Sequence, residues 1–509
     1  MQNKMLIHIN KKNSVKRFFI NNKKDISIFI GMLAFVFIIC FNFMKPHYTN
    51  DCYYVNAYGY TYYAKHFLAS NRIFSALILW IFLKLDIPLW KELSIMGVFL
   101  TITMAIAWFV LYKFIIKFIN KEKSIFFNIL IVLISFFIVF NICTAEGLLF
   151  VEVGTMPLGI LFAILGSIII VTDRKYKYII SLVLITLSGL CYQATSSIFV
   201  VLSLVLICSK NKGDIKKTIK QAIIIFFIYG IAMIINFIGV KIWDKILNNE
   251  FRKFEMPTLA IILKTIFKYA KYILIYNVGI GTKYSYLITI AIISIIFVIK
   301  EINKKEYFIM LEYIIIIILS ILIPIIPIII TPVDLQYIEP RMAMCFGSII
   351  GIILLFLLTV PKIEENKILL TIVLIISTIV FTGNSIFMIS ASTANLKTNK
   401  LDEMIAKEII KEINNYESET GNEIKNIGVA FDKNYTMYYE GEPSLRCFNV
   451  RSMGTSWAIK EVLTKYTLKG YNKVDVPEDI KKQFLEKDWN EYDKQQLVFE
   501  NENLYICIY

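Results

Sequence analysis

The chain has 509 residues, of which 57% are hydrophobic and only 18% charged, and its mean hydropathy is +0.63. Soluble domains carry about 45–50% apolar and about 25% charged residues, so this balance excludes a purely soluble protein, a disordered chain and a small disulfide-stapled domain. The net charge of +15 fits lysines in the cytoplasmic loops of a membrane protein better than nucleic-acid binding, which is not expected. Eight scattered cysteines, with no CxxC pair and no Cys/His cluster, give zinc and thioredoxin-type chemistry no support.

Residues 1–25 are rich in Lys and Asn and lead into an apolar run without a small-residue cleavage site, so a cytoplasmic basic amino terminus is expected rather than a cleaved signal. Eleven segments then approach the roughly 20 apolar residues that a bilayer crossing needs. They are 26–44, 93–118, 125–142, 155–171, 178–191, 194–208, 219–240, 284–299, 309–330, 342–360 and 368–389. Short basic linkers at 121–123, 174–177, 210–217, 300–305 and 362–367 recur at every second position, which places the amino terminus inside and, for an odd count, the carboxyl terminus outside. The Lys-rich loop 241–283 runs against this pattern, but long loops follow the rule poorly.

Both ends of 178–208 are basic. At about 1.5 Å per residue its two arms each reach about 22 Å, short of a hydrocarbon core of about 30 Å. The segment therefore reads as a re-entrant hairpin with its tip at Cys191-Tyr-Gln-Ala-Thr-Ser-Ser197, in preference to one long tilted helix. Outer loops are expected at 45–92 and 241–283, with surface helices over 65–85 and 258–276, the latter presenting Lys264, Lys268 and Lys271 on one face. Beyond 390 the composition turns polar. Charges alternate at helical spacing over 396–415, 426–431 reads as a strand, 455–466 as a helix, and 496–508 as a strand pair turning at Asn501-Glu-Asn503. The predicted fold class is mainly α: residues 26–390 form a polytopic membrane bundle of about eleven helices, and 391–509 form a small extracytoplasmic α/β domain. That domain has no GxGxxG or P-loop.

The candidate chemistry gathers at the outer helix ends. Asp51, just past the first apolar helix, suits a general base, since partial desolvation raises a carboxylate toward neutrality; a solvated loop aspartate or an Asx turn with Asn50 would look the same. Arg72 and Arg341 carry the fork that grips phosphate, and both positions also suit anchors at the lipid headgroups. Arg341 opens a helix after a segment broken by Pro324, Pro327 and Pro332. Glu146 and Glu152 flank an apolar patch free of Lys and Arg, where they could line a cavity, hold an acceptor hydroxyl or a metal, or face water. Gln193 offers an amide at the hairpin tip, for a ligand or for a neighbouring helix. Seven tyrosines crowd 48–63; rings of this kind stack on sugars, but an interfacial belt explains most of them. Cys447 and Cys507 would share the outer side and could pair.

The order of these features resembles the bacterial type II O-antigen glucosyltransferases, membrane enzymes of the GT-C class. The matching residues are Asn50-Asp51, Asn71-Arg72, Tyr192-Gln193-Ala194 and Pro340-Arg341. Asn50-Asp51 reduces the family's acidic pair, and Asn71-Arg72 keeps the cation of its Gly-Arg without the glycine. The resemblance implies a GT-C-like fold over about 26–390 in the cell membrane. It implies transfer of a sugar, with glucose inherited from the family, from a polyprenyl-phosphate donor to a hydroxyl of a cell-surface glycan on the outer face. Asp51 would take the acceptor proton and Arg72 and Arg341 would hold the phosphate. Asn50, Glu146, Glu152, Tyr192 and Gln193 would line the sugar and acceptor cavity. A divalent metal such as Mg or Mn, held by Asp51 and Glu152, is compatible with this set but not demanded by it. The alternatives are a flippase of a lipid-linked glycan, a polysaccharide polymerase or an assembly protein working through its outer domain. Apolar helix centres and the lack of a visible internal repeat count against the transporter.

Overall fold

The computed structural model describes residues 22–119, 125–151, 154–211, 213–248, 258–275, 285–304, 306–329, 339–360, 367–439 and 447–509. The amino terminus before residue 22, the basic linkers 121–123 and 362–366, Glu152, Pro332, parts of the 241–283 loop and the Lys271 side chain lie outside them.

Helices make up 77% of the described residues. In chain order they are α1 (Lys23–Ile39), α2 (Asn50–Ala69), α3 (Ile73–Lys84), α4 (Leu89–Ile119), α5 (Ile125–Val139), α6 (Ile142–Leu149), α7 (Met156–Val171), α8 (Lys177–Cys191), α9 (Ser197–Asn211) and α10 (Ile215–Ile246). There follow α11 (Leu259–Ile275), α12 (Ser285–Lys304), α13 (Tyr307–Leu322), α14 (Ile325–Ile329), α15 (Met344–Gly347), α16 (Ile349–Thr359) and the long α17 (Lys367–Thr420). Among the described residues six helical stretches are long and apolar enough to cross a membrane: Leu89–Ile119, Gln193–Asn211, Ile215–Ile246, Tyr307–Pro327, Pro340–Thr359 and Lys367–Thr420. A seventh is the pair α5 and α6, bent by 55° at their junction. The apolar helices α7 and α8 fall short of a full crossing. Isoleucines and phenylalanines such as Ile38, Phe227 and Ile234 face outward, as in a bundle whose solvent is lipid. Several long apolar helices of this kind fit a membrane protein.

The interior is aromatic near α4 and α5. Trp108 packs edge-on against Phe136 and Phe140, and its indole N–H donates to Val132 O and Ser135 Oγ, both at 3.1 Å. Between α7 and α8 small residues bring the backbones close. A side chain at Gly159 would meet Thr195 Oγ1 at 2.5 Å, and one at Gly166 would meet Ile185. Ser188 Oγ donates to Gly159 O at 2.8 Å and Ser181 Oγ to Gly166 O at 3.1 Å, the small-residue packing with polar glue expected of apolar helices.

The carboxyl-terminal unit follows α17 without a break, since that helix runs unbroken through residue 390. It contains β1 (Asn426–Phe431), α18 (Ile459–Thr467), β2 (Asn472–Val474), α19 (Glu478–Leu485), β3 (Leu497–Glu500) and β4 (Asn503–Ile508). The sheet order is β2-β1-β4-β3; β1 is parallel to both its neighbours, and β3 and β4 pair antiparallel. Period-two alternation divides the sheet's side chains. Ile427, Leu504 and Ile506 pack toward α17 and α18, whereas Ala430, Tyr505 and Cys507 pack toward α19. Tyr53 of α2 completes the first of these cores. Cys447 and Cys507 are both free thiols. They do not pair: Cys507 is buried in the β4–α19 layer, and Cys447 lies near the Glu146–Arg341 pair.

Candidate active site

The segment 45–92, expected as a loop, is mostly the helices α2 and α3. The Thr49 hydroxyl caps α2 by accepting from Cys52 N–H at 3.4 Å, and Asp51 sits in the first turn, where a carboxylate complements the helix dipole. Asp51 is therefore a partly buried helix residue and not a solvated loop aspartate. Both ends of the Asn50 amide are taken by the carboxyl-terminal unit: Oδ1 accepts from Ser452 Oγ at 2.6 Å, and Nδ2 donates to Thr455 Oγ1 at 3.3 Å. Just upstream, buried His47 bridges two carbonyls, with Nδ1 2.9 Å from Lys45 O and Nε2 2.9 Å from Leu149 O. Burial holds its pKa below the ordinary imidazole range.

Helix α2 is kinked at Gly59, whose φ of 81° only glycine adopts readily. It ends in the turn Ser70-Asn71-Arg72. Asn71 has φ 55°, a left-handed conformation that asparagine tolerates better than most residues, so the turn is made without glycine. Its amide donates to Asn236 O at 3.2 Å, and Gln193 Nε2 donates to Ser70 O at 2.7 Å. The Arg72 guanidinium lies 4.6 Å from the Tyr192 ring centroid, and its Nε is buried with no hydrogen-bond partner among the described residues. Arg72, Tyr192 and Gln193, over a hundred positions apart in sequence, are thus brought together.

Their other support is the hairpin tip. The expected break lies at the 3-10 turn Gln193–Ser196 between α8 and α9, but only α8 is short: Gln193–Asn211 is long and apolar enough for a full crossing. Thr195 Oγ1 donates to Tyr192 O at 2.7 Å and lies 2.8 Å from Ser188 Oγ, which locks the tip onto α8.

Arg341 and Glu146 form a second centre. The Arg341 Nη1 pairs with Glu146 Oε1, the Arg341 backbone N–H donates to Glu146 Oε2 at 2.6 Å, and the guanidinium stacks 4.3 Å from the Phe150 centroid. The carboxylate is 1% exposed. Glu146 is thus not a water-facing acid but the counterion of Arg341, a pairing that nothing in the sequence signals across 195 positions. The turn at Pro340–Ala343 packs against Gln193–Ser196, and His47 ties the Asp51 end to Leu149, three residues after Glu146. Asp51, the Arg341–Glu146 pair and the Arg72–Tyr192–Gln193 cluster are therefore linked in one band, with Asp51 and Arg72 at opposite ends of the kinked α2. Glu152, the remaining predicted site residue, lies outside the described residues, and no group of three His, Cys, Asp or Glu suited to a metal gathers among the described ones.

Long apolar helices, a bent helix pair and the buried Arg341–Glu146 pair fit a helical membrane protein with polar side chains gathered near α2. A family model described as Glucosyl transferase GtrII matches residues 47–352, from the residue that anchors the Asp51 loop to the helix after Arg341. The match covers more than half of the chain, so the protein belongs to the GtrII glucosyl transferase family and is a glycosyltransferase, as the resemblance implied. No curated protein and no solved structure matches the chain.

Proposed function

We propose that the protein moves a sugar, glucose by family, from a polyprenyl-phosphate donor to a hydroxyl of a cell-surface glycan on the outer face of the cell membrane. In this reading residues 1–25 are cytoplasmic, residues 26–390 form a GT-C-like bundle and residues 391–509 an extracytoplasmic domain. Asp51 accepts the proton of the acceptor hydroxyl as that oxygen bonds to the anomeric carbon. The bond from that carbon to the phosphate oxygen breaks, its electron pair leaves with the polyprenyl phosphate, and a single displacement inverts the anomeric centre. The leaving phosphate gains negative charge, which a preorganised cation stabilises.

Arg72 carries this reading: a partly buried guanidinium, steadied by Tyr192, whose buried Nε has no hydrogen-bond partner among the described residues. Arg341, tied to the Asp51 end of α2 through Glu146 and the His47–Leu149 contact, shares the phosphate with Arg72 and holds the turn against the hairpin tip. Transfer assayed in membranes with a polyprenyl-phosphate glucose donor tests the proposal. Asp51→Asn at equal abundance should lower the rate by about 100-fold or more, in line with loss of a general base. Near-normal turnover would remove Asp51 from that role. Arg72→Lys keeps the charge but not the planar stack, and should raise the donor KM with little effect on the acceptor KM.

A further inference from the structure

Asp51, Tyr54, Tyr58 and Tyr62 recur at helical spacing on one face of α2. In spite of the kink at Gly59, the rings touch in sequence. Tyr54 and Tyr58 have centroids 5.3 Å apart with planes tilted by 30°, and Tyr58 and Tyr62 are 5.1 Å apart and tilted by 33°. Trp457, from the turn before α18, extends the row with its centroid 5.3 Å from that of Tyr54. Tyr58, Tyr62 and Trp457 are 44%, 41% and 41% exposed, high values for large rings in contact with one another.

The polar ends of the two inner tyrosines point into the protein. Tyr54 Oη donates to Trp457 O at 3.0 Å. Tyr58 Oη donates to Glu461 Oε1 at 3.1 Å and accepts from Lys460 Nζ at 3.2 Å. Glu461 is 1% exposed, so it fixes the Tyr58 ring and does not itself meet a ligand. An interfacial tyrosine in a lipid belt keeps its ring in the apolar layer and sends its hydroxyl toward water. Here the Tyr54 and Tyr58 hydroxyls are bonded to the carboxyl-terminal unit, and Tyr58 still stays 44% exposed. Flat, rigid faces presented in a row one helical turn from a candidate catalytic carboxylate suit a chain of pyranose rings, whose C–H faces stack on aromatic surfaces.

We infer that Trp457, Tyr54, Tyr58 and Tyr62 form a track that binds the acceptor glycan by stacking successive sugars and feeds one of its hydroxyls to Asp51. The inference rests on the proposed function for the location of the reacting end. It adds the acceptor's path and gives the carboxyl-terminal unit a part in it, since that unit supplies Trp457 and the groups that orient Tyr54 and Tyr58. Binding of an extended polymer rather than of a single sugar follows from a row of four rings.

The test separates binding from turnover. Full-length protein carrying Asp51→Asn, in nanodiscs, is titrated calorimetrically with oligosaccharides cut from the producing cell's surface polysaccharide and graded by length. Affinity is expected to climb with length. Tyr62→Ala and Trp457→Ala should each weaken binding of the longer fragments by roughly tenfold, the scale of one lost aromatic stack, whereas Tyr62→Phe should retain it. Unchanged thermal unfolding of the variants shows that the loss is not misfolding. Equal affinity across lengths and variants would overturn the track. So would a spin label at Trp457→Cys that is as accessible to oxygen, and as shielded from a water-soluble nickel complex, as a lipid-buried site, since the row would then face the bilayer. Normal transfer by Asp51→Asn would reject the catalytic role of that residue without touching the length dependence, so the two readings fail separately.

Discussion

Arg341 and Glu146 are buried together, and removal of either partner strands the other's charge. Breaking a buried ion pair from one side costs about 3–5 kcal/mol. Arg341→Ala should therefore lower the amount of folded protein in the membrane as well as the activity, and Glu146→Gln should do so less, because its amide still accepts from the Arg341 backbone N–H. The double change Arg341→Met with Glu146→Leu should recover much of the folded yield but not normal transfer, because the turn at Pro340–Ala343 loses its tether. Folded yield measured by size-exclusion fluorescence checks this; recovery of full transfer by the double variant would make the pair purely structural. Arg72 behaves differently. Its Nε has no hydrogen-bond partner among the described residues, and no carboxylate pairs with Arg72 there as Glu146 does with Arg341, so Arg72→Ala should lower folded yield less than Arg341→Ala. The sequence alone could nominate both arginines but could not tell them apart, because what distinguishes them is a glutamate 195 positions away.

At the scale of elements, the hairpin α8–α9 is positioned by close backbone approach. A methyl group at Gly159 would meet Thr195 Oγ1 at 2.5 Å, Cys191 Cβ at 3.1 Å and Ser188 O at 3.2 Å. Overpacking of this kind costs about 1–3 kcal/mol, and the tip must move to relieve it. Gly159→Ala should thus raise the donor KM through Tyr192 and Gln193, although neither residue is changed; an unaltered KM would show that the tip does not position Arg72.

The second element-scale prediction concerns Asp402, in the charged half of α17 beyond its apolar stretch. It accepts from Ser452 N–H at 2.9 Å, Met453 N–H at 3.2 Å and Tyr439 Oη at 3.0 Å, yet burial pushes its carboxyl up from 3.8 to about 6. A folded pKa above the unfolded one gives stability that is fully present below 3.8 and lost as the pH rises through 6. Docking of the carboxyl-terminal unit on α17 should therefore be weaker at pH 7 than at pH 4, by roughly 3 kcal/mol from this group. Asp402→Asn should flatten that slope in hydrogen-exchange measurements of β1 and β4.

The break at Tyr192–Ser196 is legible because two basic runs bracket a largely apolar stretch of 31 residues with a polar middle, and β1, β3 and β4 because their alternation and turn residues are local signals. β2 and α19 were not read, being short and set by pairing with β1 and by burial of Ile480 and Phe484. α2 is not legible as a helix because its tyrosines and asparagines outweigh the cap Thr49 and the first-turn Asp51 as local signals.

On the scale of the whole molecule, the carboxyl-terminal unit and the start of α2 are held as one body. Asn50 is bonded to Ser452 and Thr455, Tyr53 lies in the core beneath the sheet, and Lys465 stands 3.3 Å from the Tyr48 ring centroid, its pKa pushed down to about 8 by burial. Whatever side of the membrane holds Tyr509 therefore also holds Asp51. A dual reporter fused after Tyr509, active as phosphatase outside and fluorescent inside, consequently reads the side of the candidate catalytic carboxylate as well as the parity of the helix count. The opposite end of the bundle carries Lys210, bonded to Asp173 and to Val171 O at 2.8 Å each, in the basic setting expected of a cytoplasmic face. Phosphatase activity after Tyr509, with an engineered cysteine at Arg174 labelled only from inside, would agree with an odd number of crossings and outer-face transfer. A fluorescent fusion would put Asp51 in the cytoplasm. The pair α8–α9 or the bent pair α5–α6 would then have to be counted differently, and the acceptor would have to be an intracellular glycan precursor, not a finished surface polymer.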